Sequence, residues 1–165
     1  MTYNSPKTGQ QIDDAVTLSE GPLFIGYTGQ VDIVIPNADT WVNLDIPLTV
    51  EGAMVRGFGL PVGPGIEYTG DDPVIVQVSG PFSIASNTNN VITQVAVGKN
   101  DVPFVGSTVH RKIANAGDVG AAGFEYLVPL VKGDRITIHV QADEAVTLTV
   151  RNAAVNIIAV ATNGH

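Results

Sequence analysis

The 165-residue sequence predicts an all-β fold, an antiparallel sandwich or barrel that follows a short N-terminal helical arm. After residue 20, apolar residues alternate with polar ones, a period that is typical of strands with one buried face. The chain has 18 Gly and 10 Pro, too many for a helical bundle because each costs roughly 1–3 kcal/mol inside a helix. No helical stretch separates the alternating segments, so parallel βαβ units are not expected.

The amino-acid composition excludes several kinds of functional site and partner. Hydrophobic residues are 44% of the chain, enough for a core. The absence of cysteine excludes disulfides, thiol catalysis, thiolate zinc sites and iron–sulfur clusters. The net charge of −8 would repel a phosphate backbone, so a nucleic-acid partner is not expected. No apolar run approaches the roughly 18 residues of a membrane span, and the N-terminus lacks a signal-peptide layout, so no membrane partner is expected either.

The first 20 residues form a separate arm in this interpretation. Thr8 and Gln11 have the capping-box spacing, which predicts a short helix over 9–17. Ile12 and Val16 fall on one face of that helix. A helix of two turns is marginal alone, so its apolar stripe must dock. It could dock on its own domain or grip a neighbouring subunit, or the arm could be a disordered tail.

The strand domain is expected to span 21–165. Turn signals rich in Gly, Pro, Asn and Asp separate the alternating segments and indicate about nine or ten short strands at hairpin-like spacing. The clearest alternating segments are 31–35, 44–50, 74–78, 136–140 and 146–150. The turn signals stand at 27–29, 36–37, 63–65, 69–73, 86–90, 98–101 and 132–134.

Two stretches, 91–97 and 155–161, are apolar at almost every position. A strand that is apolar on both faces must be covered on both faces. The cover could be an intrachain loop or the N-terminal arm. A partner subunit is the favoured cover, because exposed apolar patches larger than a few hundred Å² are rare on monomers.

The histidines do not predict a metal site, because His110, His139 and His165 lack metal-ligand spacing. His139 stands on the polar side of its strand, which favours a solvated or interface histidine. The basic cluster 110–112 is interpreted as a surface loop, with an acidic patch on a partner as the alternative.

Neighbouring carboxylates such as Asp71 and Asp72 diverge on a turn, so they favour turn chemistry over acid–base catalysis. A calcium site there would lack the regular ligand spacing. Neither a nucleophile elbow nor a dinucleotide-binding loop occurs. We therefore expect no catalytic residue, no cofactor, no metal and no enzymatic activity. The enzyme alternative is a sandwich glycosidase, which would need two carboxylates brought together from different strands.

The segment 80–160 resembles the jelly-roll domains of the C1q and tumour-necrosis-factor type. Phe82-Ser83-Ile84 matches a Phe-x-Ile strand, and Leu130-Val131-Lys132-Gly133-Asp134 matches a Leu-x-x-Gly-Asp hairpin. Lys99-Asn100-Asp101 stands where that family has Lys-Asn-Gly, and the usual aromatic run of the first strands is missing. The resemblance implies an antiparallel jelly-roll β-sandwich.

The same resemblance implies a homotrimer, with the last strand near the threefold axis. Four residues of that strand are the expected subunit interface: Val155, Ile157, Ile158 and Val160. Burying each such side chain is worth roughly 1.5–3 kcal/mol, which would favour association. Under this hypothesis Ile157→Asp or Ile158→Asp gives monomers or aggregates.

The opening Thr8-Gly9-Gln10-Gln11-Ile12-Asp13 is similar to the Thr-Gly-x-x-Ile-Asp openings of tailed-bacteriophage virion proteins. The resemblance implies a non-enzymatic decoration (cement) protein on the capsid surface, present in the host cytoplasm during assembly. Its partners would be itself and the major capsid protein or another virion protein. Tyr3, Ile12 and Val16 would dock the arm on the capsid. The alternative is a receptor-binding module of a tail or head fibre.

Overall fold

The computed structural model describes residues 23–46, 49–50, 57–59 and 64–162. In these ranges the secondary structure consists of twelve strands and one 3-10 turn, Val105–Ser107. The strands are β1 (Leu23–Ile35), β2 (Val42–Asn43), β3 (Thr49–Val50), β4 (Phe58–Gly59), β5 (Ile66–Tyr68), β6 (Val74–Ser86), β7 (Val91–Lys99), β8 (Val102–Pro103), β9 (Val109–Ile113), β10 (Val119–Leu130), β11 (Arg135–Ala142) and β12 (Val146–Thr162).

Two antiparallel sheets form the jelly-roll sandwich, which confirms the predicted fold class. The first sheet has the order β10-β6-β12-β1-β3. The second sheet has the order β4-β5-β11-β7-β8, with β2 also paired to β11 and β9 also paired to β7. Strands adjacent in a sheet are mostly distant in sequence, as in β6 beside β12, so long-range pairing holds the fold together.

The core lies between the sheets and follows the period of two in the sequence. Val76 and Val78 of β6, Val140 of β11, and Leu148 and Val150 of β12 are fully buried. Each such side chain contributes roughly 1.5–3 kcal/mol by leaving water. The alternation within 74–78, 136–140 and 146–150 therefore predicted both strands and core sides correctly.

Two predicted features differ from the structure. The turn signal at 27–29 lies inside β1, where the pairing with β12 shifts register between Thr28 and Val31 as at a β-bulge. In the predicted strand 44–50, Leu44 and Ile46 are buried but lie outside the ladder. Apolar alternation reports which side chains are buried, and burial does not require a fully paired strand.

Asparagine and aspartate form the tight hairpin between β7 and β8. Asn100 and Asp101 have φ of 53° and 65°, the left-handed pair of a type I′ turn. Asn and Asp tolerate this region better than other non-Gly residues. Asp101 can therefore occupy the turn position at which the Lys-Asn-Gly pattern has glycine.

The predicted helix over 9–17, and with it Tyr3, Ile12 and Val16, lies outside the described residues. The division into an arm and a strand domain accordingly stays a prediction. In the described ranges, no helix has the length and apolar character to cross a membrane.

Candidate functional site

The last strand, β12, presents one apolar face to the core and another to the outside. Val155 and Ile157 are 2% and 1% exposed inside the sandwich. Ile158 and Val160 are 41% and 49% exposed on the outer face. A second chain cannot reach Val155 or Ile157 in the folded protein, so their assignment to a subunit interface is corrected.

A β-bulge explains why the core-facing positions of β12 change from even to odd residue numbers along the strand. The pairing of β12 with β6 shifts register between Val150 and Asn152. Before this point even-numbered side chains such as Leu148 face the core, and after it odd-numbered ones such as Val155 do. One extra residue in a strand reverses the face of every side chain that follows.

The exposed residues of β12 belong to a larger apolar patch on the first sheet. Ile158 pairs with Gln77 of β6, which pairs with Leu127 of β10. Leu127 is 57% exposed. Leu127 is not among the interface residues expected from the sequence, although it stands on the polar side of an alternating segment. We name as the face patch Ile75, Leu127, Pro129, Ile158 and Val160.

A second group of exposed apolar side chains lies at the edge of the sandwich. Val102 of β8 and Val105 of the 3-10 turn are both exposed. Beside them, Phe104 stacks on Tyr126 of β10, with ring centroids 5.1 Å apart. We name Val102, Phe104, Val105 and Tyr126 the edge patch. Tyr126 and Leu127 are neighbours on β10 and point to opposite faces of the sheet, so the edge patch and the face patch lie on either side of that strand.

A polar cluster lies on the outer face of the second sheet. His139 of β11 is only 3% exposed, which corrects the prediction of a solvated or interface histidine. Its Nε2 lies 2.9 Å from the Thr137 hydroxyl. Burial lowers the pKa of His139 below its usual value, against the smaller opposing effect of the Asp101 carboxylate. Burial therefore favours the neutral form of the imidazole.

Asp101 bridges the hairpin turn to both neighbouring strands. The Asn43 amide donates to Asp101 Oδ1 at 2.6 Å, and Arg135 donates to Oδ2 at 2.5 Å. These bonds tie β2 and β11 to the turn above His139. Asn43 Oδ1 and Gln141 Oε1 in the same region are buried and have no hydrogen-bond partner among the described residues.

A second carboxylate, Asp134, organises the turn between β10 and β11. Burial acts to raise its pKa, but hydrogen bonds from the Val131 N–H, the Asn100 amide and the Lys99 ammonium outweigh burial and lower the pKa. The Lys99 Nζ to Asp134 Oδ2 distance is 3.1 Å. This carboxylate is satisfied by its own chain, so its role is structural.

The remaining charged candidates are accounted for by local structure. Asp71 lies 2.6 Å from Lys132 Nζ in an exposed ion pair, and the hydrogen bond from Lys132 lowers the pKa of Asp71. Residues 110–112 form part of the edge strand β9, which corrects their interpretation as a loop. Charged side chains on an edge strand also discourage unwanted pairing.

The described part of the structure contains no metal-binding cluster. No three His, Asp or Glu side chains converge there as metal ligands. A small cavity between the sheets is lined mainly by apolar side chains, among them Ile66, Phe82, Phe124 and Val155. An apolar lining cannot activate a nucleophile or transfer a proton.

The comparisons with known proteins concern the fold. The chain is similar to the structure of Eiger TNF from S. frugiperda, with a TM-score of 0.60 at 9% identity, over 87% of this chain and 94% of that one. It is also similar to murine APRIL (TM-score 0.47, 12% identity, 82% and 98% covered). The PRD1 vertex protein P5 matches with a TM-score of 0.43 at 12% identity, covering 83% of this chain and 96% of that chain. No family model and no curated protein matches the sequence.

Proposed function

We propose that this protein is a non-enzymatic, homotrimeric decoration protein of a bacteriophage capsid. The observation that carries the self-association is the presence of two exposed apolar patches on one sandwich, the face patch and the edge patch. A contact between different patches of identical subunits is heterologous, and it closes into a ring when the rotation permits. The resemblance to C1q and tumour-necrosis-factor domains favours a ring of three.

The physical reason for association is the removal of apolar surface from water. Leu127, Ile158 and Val160 on one chain would pack against the edge patch of the next. Full burial of one such side chain contributes roughly 1.5–3 kcal/mol, so three of them contribute at most about 5–9 kcal/mol, which is comparable to the lower part of the association cost of about 4–15 kcal/mol.

The capsid partner is proposed from the N-terminal sequence. The opening 8–13 is similar to those of tailed-phage virion proteins, and the arm 1–20 carries the apolar residues Tyr3, Ile12 and Val16. In this proposal the arm binds the major capsid protein or another virion protein, while the sandwich stays outside the shell. The protein would pass through the host cytoplasm during assembly.

The position of the protein on the virion tests this proposal. Virions with and without the protein are imaged at low resolution, and their heads are heated or exposed to low salt. We expect density on the head and earlier rupture of heads that lack the protein. A truncation of residues 1–20 should leave a folded sandwich that no longer binds heads. Density on the tail only, with heads of unchanged stability, would contradict the proposal.

The second candidate function is a receptor-binding module. The observation that favours it is the polar outer face of the second sheet, where Trp41 is only partly buried among amide side chains. Loss of adsorption from virions with intact heads would support this candidate over the first.

A further inference from the structure

Arg111 reaches from the second sheet across the edge of the sandwich to the first sheet. It belongs to the edge strand β9 and is exposed. A Cβ added to Gly120 of β10 would lie 2.9 Å from Cγ of Arg111 and 3.1 Å from its Nε. The guanidinium group therefore lies beside β10. Strands β8 and β9 pair with the same side of β7, so Arg111 is on the edge of the molecule that also carries the edge patch.

This cation lacks a counter-charge among the described residues of its own chain. Three other described cations are in ion pairs: Lys99 with Asp134, Lys132 with Asp71 and Arg135 with Asp101. No such pair within the described ranges includes Arg111. The chain has 16 carboxylates against 8 Lys and Arg residues, so a second copy offers more carboxylates than its own cations can pair.

The proposed trimer determines which part of a neighbouring chain Arg111 meets. A closed ring relates its subunits by rotation, with no shift along the rotation axis. The edge patch and the face patch lie at one height along the strands, because Phe104 stacks on Tyr126 and Leu127 is the next residue of β10. A rotation axis along the strands therefore brings the two patches together. Each residue at the sandwich edge then meets the first sheet of its neighbour at its own height.

At the height of Arg111, the first sheet offers one carboxylate. Val119, next to Gly120, begins a row of paired residues that crosses β6 and β12 and ends at Asp32 of β1. Paired residues share one face of the sheet, and both Val119 and Asp32 are exposed. The other carboxylate in the strands of this sheet, Glu125, stands five residues from Gly120, or about 17 Å along the strand, which is beyond the reach of an arginine side chain.

The Asp32 carboxylate is held in place and has an oxygen to offer. Its Oδ1 accepts a hydrogen bond from the Thr149 hydroxyl at 2.7 Å. Within the described residues, Asp32 forms no ion pair and its Oδ2 accepts no hydrogen bond. A guanidinium group donates to carboxylate oxygens in a geometry that is both strong and specific.

We propose that Arg111 of each chain forms an ion pair with Asp32 of the next chain in the ring. This inference rests on the proposed trimer and adds a second, polar contact to it, at the opposite end of the first sheet from the face patch.

The ion pair would favour the closed ring over an open assembly. Apolar patches attract without a fixed direction, so the same edge and face could also join with a shift along the axis. A shifted contact repeats as a filament. A shift of two residues along a strand moves the two charges about 7 Å apart, whereas opposite charges that meet across a contact fix its register.

Exchanging the two charges tests the contact. Sedimentation velocity of the full-length protein at a series of dilutions gives the concentration at which half of the trimer dissociates. Asp32→Arg and Arg111→Asp each place like charges at the contact. An exposed ion pair is worth up to roughly fivefold in an equilibrium constant and recurs at three contacts, so this concentration should rise by roughly tenfold. The double variant, Asp32→Arg with Arg111→Asp, restores opposite charges and should return to the unmodified concentration.

Lys112→Asp is the matched control. It makes the same change of charge on the same strand, but Lys112 pairs with Ile92 and shares its face, the opposite one from Arg111. We expect its trimer to dissociate at the unmodified concentration. Circular dichroism shows whether each variant is folded. Asp32 is exposed on its strand, so Asp32→Arg decides the question even if Arg111→Asp, which loses the packing on Gly120, does not fold.

Two results would overturn the proposal. One is a folded Asp32→Arg protein whose trimer dissociates at the unmodified concentration. The other is a folded double variant that dissociates as readily as the single variants. Either result leaves the trimer standing, because the unmodified protein keeps three chain masses. A single-chain mass for the unmodified protein would instead contradict the proposed function, and the ion pair with it.

Discussion

Gly98 of β7 lies where the hairpin packs against the outer face of the second sheet. A Cβ added to Gly98 would lie 2.5 Å from His139 Nε2 and 2.7 Å from the Val102 carbonyl oxygen. These contacts are shorter than any relaxed van der Waals contact, and one of the two atoms belongs to the backbone. Only glycine lets the hairpin lie over the imidazole.

Gly98→Ala is therefore expected to lower the free energy of unfolding by about 1–3 kcal/mol, as in other overpacked sites. Thermal unfolding followed by circular dichroism measures the effect. Gly123→Ala is the matched control, because its added Cβ would meet only the Gly80 carbonyl oxygen at 3.8 Å. Equal melting temperatures for the two variants would show that the hairpin does not press on His139.

His139 should make the fold sensitive to acid. Burial lowers its pKa in the folded state, with Asp101 opposing, so the unfolded chain binds the proton more readily. The free energy of unfolding should then fall as the pH drops below the unfolded pKa of about 6.5. Melting temperatures between pH 7.5 and pH 5 should decline less steeply in His139→Gln than in the unmodified protein. Parallel declines would mean that other groups carry the acid sensitivity.

At the scale of elements, β12 shows what sequence patterns can and cannot predict. Alternation identified 146–150 as a strand with a core side, because polar residues mark its other side. After the bulge at 150–152 the chain is apolar on both sides, and nothing local marks the reversal of faces. The core position of Ile157 and the exposed position of Ile158 follow from pairing with β6, which is distant in sequence.

The two neighbouring isoleucines should respond in opposite ways to the same substitution. Ile157→Asp places a carboxylate in the core, and we expect a loss of cooperative folding because an unpaired buried charge costs several kcal/mol. Ile158→Asp places the charge on the outer face, so a cooperative thermal transition should remain. Circular dichroism compares the two proteins. A folded Ile157→Asp protein, or an unfolded Ile158→Asp protein, would contradict the assignment of faces.

Strand β11 shows a second limit of sequence reasoning. Its alternating polar residues Thr137, His139 and Gln141 predicted a solvated face, yet all three are buried. Asp101 and Asn43 meet above the strand through a hydrogen bond between side chains 58 positions apart. A pattern within one strand cannot reveal that a hairpin from elsewhere covers it.

For the whole molecule, the sequence motifs predicted the class of fold. The face patch and the edge patch became visible only in the structure. The Phe-x-Ile and Gly-Asp motifs pointed to a jelly roll because they mark strands and turns in a fixed order. The face patch could not be predicted as a unit, because Leu127 and Ile158 meet only through β6.

In the proposed trimer, identical chains associate through the face patch. Sedimentation equilibrium of the purified full-length protein measures this most directly. We predict a mass about three times the 17.2 kDa of one chain. Ile158→Asp should give one chain mass, whereas Val34→Asp, exposed at the far end of the same sheet, should keep the trimer mass. A single-chain mass for the unmodified protein would contradict the account.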